Sequence, residues 1–73
     1  MNFKHIHALI SVIDAESFTA AAETLSVSQS ALTKMIAQLE EELGVKLFER
    51  GGGRRAHPTA FGQIVYELSL IHI

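Results

Sequence analysis

Apolar positions recur at three- and four-residue spacing in four separate stretches of this chain, and the pattern between the last two is different. Residues 3 to 15 carry Phe3, Ile6, Leu9, Ile10 and Ile13 on one side, with Val12 added to the stripe. A second helix is expected from Ser17, a good N-cap, with Phe18, Ala21, Ala22 and Leu25 on its inner face. Alanine at 21 and 22 lets another helix cross at close range. The third opens at Ser28, again a capping serine, and runs to Gly44, which suits the left-handed position past a helix end. Its apolar set is Leu32, Met35, Ile36, Leu39 and Leu43, while Gln29, Ser30, Thr33, Lys34 and Ala37 project from the other side. The second and third helices are joined by a turn too short for anything except a sharp bend, which is the pattern of a helix-turn-helix.

From Val45 the period changes. Val45, Leu47 and Phe48, the glycines 51 to 53 with Arg54 and Arg55, and a return through Ala56-His57-Pro58 predict a small hairpin with a flexible tip. Thr59 reads as the cap of a fourth helix passing through Phe61, Ile64, Val65 and Leu68. The expected fold is therefore mainly α, a winged helix-turn-helix with a three-helix core, a β-hairpin wing and the start of a linker helix.

The outer face of the third helix is short, polar and lightly charged. Glutamine can make paired hydrogen bonds to adenine, serine and threonine bond several base edges, and lysine reaches guanine or phosphate. An ordinary surface helix would more often carry Glu and Lys partners there. Arginines at a wing tip suit the narrow minor groove, where negative potential is concentrated.

These residues carry a family resemblance. Ser17-Phe18-Thr19, Ala21-Ala22-Glu23, Leu25, Val27-Ser28-Gln29, Ala31-Leu32, residues Leu39 to Gly44, Leu47-Phe48-Glu49-Arg50 and Pro58-Thr59-Ala60-Phe61-Gly62 resemble the N-terminal winged helix-turn-helix of LysR-type bacterial transcriptional regulators. The resemblance covers residues 1 to about 67. It implies sequence-specific binding of double-stranded DNA, with the recognition helix 29–43 in the major groove and DNA contacts at Gln29, Ser30, Thr33, Lys34, Arg50 and Arg54. It also implies a homodimer formed through the first and linker helices, and a small-molecule effector held only by a C-terminal domain that this sequence does not contain. Residues 1–58 are expected to form the DNA-binding domain and 59–67 the start of the linker. The segment 68–73 matches an in-frame translation of a transposon-end sequencing adapter and is expected to be an artefactual tail. Two departures are visible. Position 30 is Ser where such proteins commonly have Pro, and 34 is Lys where they commonly have Arg; positions 20, 24, 37 and 38, often basic, are Ala, Thr, Ala and Gln. Fewer phosphate contacts imply weaker, less salt-dependent binding.

Composition adds limits more than direction. Among 73 residues, 48% are hydrophobic, so the chain supports one small core and has apolar surface left for an interface. The broad stripe of the first helix can serve either end, as core or as a surface pairing with the fourth helix of a second copy. A formal charge of −2, from 6 basic and 8 acidic residues, opposes polyanion binding and favours the competing reading, a helical protein-interaction module that has lost DNA contact. Its distribution softens the objection, because Glu40, Glu41 and Glu42 lie at the far end of the recognition helix and Asp14 and Glu16 leave the first helix. No cysteine, signal peptide or membrane-length apolar run is present, which suits a cytoplasmic location. No metal site is expected of His5, His7, His57 and His72, nor any cofactor, and no nucleophile, base and acid are spaced for catalysis, so an enzyme is not expected.

Overall fold

A computed structural model describes residues 2–49 and 55–71. Its helices are α1 (Phe3–Ala15), α2 (Phe18–Leu25), α3 (Gln29–Leu43) and α4 (Ala60–Ile71). Each start has a chemical cause. Asn2 Oδ1 accepts from the His5 N–H, Ser17 Oγ from Ala20 and Ser28 Oγ from Ala31, all at 3.0–3.1 Å, satisfying donors that the first turn of a helix leaves without partners. Thr59 Oγ1 accepts from the Gly62 N–H at 3.1 Å and donates to the Lys46 carbonyl, so one hydroxyl starts α4 and ties it to the preceding segment.

The bend between α2 and α3 is made by Ser26, which adopts the left-handed conformation at φ 58°. Its N–H bonds the Glu23 carbonyl and the next, Val27, bonds that of Ala22, the paired closure of a Schellman motif. Val27 packs on the core, and Ser28 caps the next helix at once. Glu16 makes the equivalent reversal after α1 at φ 55°, and Gly44 after α3 at φ 72°.

The core is Ala8, Leu9 and Val12 of α1, Ala21 and Ala22 of α2, Leu32, Ile36 and Leu39 of α3, and Leu47 with Phe48 beyond it. The inner faces expected for α2 and α3 are the buried ones. That of α1 is rotated: Ala8 and Val12 enter the core with Leu9, while Phe3 is 70% exposed and Ile6 and Ile10 are half-buried. Alanine carries little weight in an apolar pattern, yet α1 packs against α2, α3 and α4, and only a small residue lets its neighbours approach.

Between α3 and α4 the chain pairs with itself at one antiparallel bridge, Phe48 with Pro58, flanked by bonds from Glu49 N–H to the His57 carbonyl and from Thr59 N–H to that of Leu47. Among the described residues this base is all that stands of the expected hairpin; its tip, glycines 51 to 53 included, lies outside them. Leu47 is a junction. Its side chain is fully buried, its N–H donates to Glu40 Oε2 of α3 at 2.7 Å, and its carbonyl receives Thr59. Gly62 of α4 rests against that same carbonyl so closely that a Cβ would overlap its oxygen and lie 3.3 Å from Pro58 Cβ. Further along, the Tyr66 hydroxyl donates to Asp14 Oδ1 of α1. Asp14 therefore belongs to the last turn of α1 and not to the loop after it. α4 continues without a break through Leu68 to Ile71, into the segment expected to be a tail.

Candidate nucleic-acid interface

The inner face of α3 fixes the direction of its outer one. With Leu32, Ile36 and Leu39 sunk in the core, Gln29, Ser30, Thr33 and Lys34 are all exposed, as are Ala37 and Gln38. At about 100° per residue, positions 29, 30, 33 and 34 form one continuous patch over the first two turns. Four of the six expected contact residues are thus brought together. Arg50 and Arg54 lie outside the described residues.

The patch is partly pre-arranged. Thr19 of α2 donates its hydroxyl hydrogen to Gln29 Oε1 at 3.1 Å, and Ser30 Oγ lies 3.3 Å from Ser28 Oγ. Because Ser28 caps α3, the helix presents its N-terminal end, with the positive end of its dipole, beside these side chains. A cleft of about 180 Å³ adjoins the patch, floored by Phe18, Ile36 and Phe48 and rimmed by Thr33 and Glu49. Phe18 and Phe48 meet edge to face at 5.3 Å, which fixes the wing base against the start of α2.

Charge is arranged less simply than the sequence suggests. Arg55, expected beside Arg54 at a minor-groove tip, instead pairs with Glu16 at 2.9 Å, on side chains 67% and 60% exposed. Glu16 also accepts the Ala56 N–H through its carbonyl at 3.0 Å, so the reversal after α1 holds the returning arm of the wing by side chain and backbone together. Glu40 is no mere surface acid either, since it splints α3 to Leu47. Its role and that of Thr19 are invisible in the sequence because each depends on a neighbour seven or ten positions away across a turn.

His5 of α1 places Nδ1 3.4 Å from Glu42 Oε1 of α3, though without hydrogen-bond geometry. Among the described residues no three His, Cys, Asp or Glu side chains gather as metal ligands, and no helix is long and apolar enough to cross a membrane. Apolar side chains do remain outside. Phe61 and Ile64 of α4 are 55% and 54% exposed, while Val65 beside them packs on the core.

Comparison with known proteins gives this patch a context. Residues 3–63 match the family described as bacterial regulatory helix-turn-helix protein, lysR family. The chain is 37% identical over 70 residues to the HTH-type transcriptional regulator BenM of Acinetobacter baylyi, covering 96% of this chain and 23% of that protein. It is 40% identical over 67 residues to the transcriptional activator protein LysR of Escherichia coli, covering 92% and 21%. It thus spans under a quarter of the length of these curated relatives. Among solved structures, the BenM DNA-binding domain in complex with benA site 1 DNA superimposes with a TM-score of 0.93 at 36% identity, over 99% of this chain and 80% of that one. The CbnR DNA-binding domain in complex with DNA does so at 0.87 and 36%, over 99% and 87%.

Proposed function

The chain belongs to the lysR family of bacterial regulatory helix-turn-helix proteins, and from that premise we propose that it reads duplex DNA as the DNA-binding part of a transcriptional regulator. The observation that carries this is the patch on α3: Gln29, Ser30, Thr33 and Lys34 stand exposed at the N-terminal end of a helix whose opposite face is the core. A helix so mounted can lie in the major groove, with Gln29, Ser30 and Thr33 at base edges and Lys34 reaching guanine or phosphate. Arg50 and Arg54 are assigned to backbone or minor groove on the strength of the resemblance, and their charge is what a contact near the wing would use. The likeness to two domains solved in complex with DNA supports the same reading. That the relatives are named as transcriptional regulators supports a non-enzymatic role.

A second copy is the partner we assign to the apolar strip of Phe61 and Ile64 on α4 and to Phe3 of α1. Two recognition helices would then be held about one DNA turn apart, the arrangement an inverted repeat requires. In the cell such a regulator works in the cytoplasm, and any effector would act through a domain beyond these residues.

The test is selection from random duplexes with the 73-residue chain, alone and fused to a dimerising helix, at two salt concentrations. Enrichment of an inverted repeat, with affinity falling as salt rises, is expected. No enrichment at either salt, with a salt-insensitive association to protein instead, would replace this function by that of an interaction module.

A further inference from the structure

Gln29 opens α3, and Thr19 lies in the first turn of α2, whose start is fixed by the Ser17 cap. The two exposed side chains meet across the bend, the Thr19 hydroxyl donating to Gln29 Oε1 at 3.1 Å. A carboxamide is a fork, with an acceptor oxygen on one prong and two N–H donors on the other. Paired contact with adenine uses both prongs, the oxygen accepting from the N6 amino group and the nitrogen donating to N7. Here one of the oxygen's two lone pairs is taken by Thr19 and that prong is turned toward α2, which presents the NH₂ prong to an incoming base.

We infer that Thr19 is a positioning residue for sequence reading: it holds Gln29 as a donor, so that its position in the DNA site favours guanine or thymine over adenine, whose N7 acceptor sits beside the N6 donor. Guanine offers O6 and N7, and thymine offers O4. The inference rests on the DNA-reading function proposed above and adds the direction in which one side chain reads. Ser30 gains no such direction from its neighbour, because either hydroxyl of the Ser28–Ser30 pair can donate. The bond from Thr19 has one sense only, since a carbonyl oxygen cannot donate.

Two measurements on the 73-residue chain test this. The first needs no DNA: in Thr19→Val, which keeps the shape and removes the hydroxyl, the Gln29 side-chain amide resonances should move toward those of a free carboxamide, and in Thr19→Ser they should stay. The second is duplex selection. Gln29→Ala identifies the base position that Gln29 reads, and there Thr19→Val should raise the share of adenine on the order of tenfold, with Thr19→Ser retaining the wild-type preference. In the Gln29→Ala background Thr19→Val should change nothing. Unmoved amide resonances in a folded Thr19→Val would overturn the inference, as would an unchanged base preference or an effect that persists without Gln29. If the amide moves but the wild-type chain enriches no duplex, DNA reading itself falls and this role falls with it.

Discussion

At the scale of single residues, two positions in α4 hold more than their size suggests. Gly62 rests on the Leu47 carbonyl with no room for a methyl group. Gly62→Ala should therefore destabilise the fold by about 1–3 kcal/mol, because helix propensity gained is outweighed by the backbone shift that overpacking forces; urea unfolding at neutral pH measures it. Tyr66 donates to the Asp14 carboxylate, and this bond raises its phenol above the ordinary value of 10.0. A group whose folded pKa is raised contributes stability below its unfolded pKa and loses it as pH rises through the folded one. Tyr66→Phe should accordingly be less stable than wild type at neutral pH, and the difference should shrink above pH 10.0 as tyrosinate forms against a carboxylate. A thermal-melting difference that is independent of pH would remove the bond. Gly62 stands among the residues that carry the family resemblance, but nothing local says why it is glycine; the reason lies on a segment fifteen residues away.

At the scale of elements, the turn between α2 and α3 contains two serines with opposite expected effects. Ser28→Ala removes the cap on α3 and should cost about 0.5–2 kcal/mol. Ser26→Gly relieves a left-handed residue at φ 58° and should stabilise by up to about 1 kcal/mol, the removal of the Cβ–carbonyl strain being offset in part by a looser unfolded chain. Urea midpoints moving in the same direction would contradict the geometry. Ser17, Ser28 and Gly44 declare their helix ends in the sequence, and the periodicity of α2 and α3 declares their inner faces, because these depend on neighbours within four residues. Ser26 and Glu16 do not declare themselves, since neither is the residue that marks a left-handed turn. Nor does the rotation of α1, which is decided by its packing against three other helices at once. The exposed polar patch of α3 is legible as positions, while the link from Thr19 to Gln29 and the pairing of Arg55 with Glu16 need the fold.

At the scale of the whole molecule, the unspent apolar surface lies on α4 and the start of α1. Phe61→Glu and Ile64→Glu should each weaken self-association by about tenfold or more, given about 1.5–3 kcal/mol for burying such a side chain, while leaving the melting temperature of dilute protein nearly unchanged. Sedimentation over a range of concentrations separates the two effects. One earlier feature then takes on a mechanical meaning. The Leu47 peptide is bonded to α3 on its N–H side through Glu40, and on its carbonyl side it carries Thr59 and the contact with Gly62. The tilt of the recognition helix and the angle at which α4 leaves the domain are thus geared through one residue. Were α4 paired with a second copy as proposed, a twist applied to it would reach α3 through that residue and change the pitch of its exposed polar face.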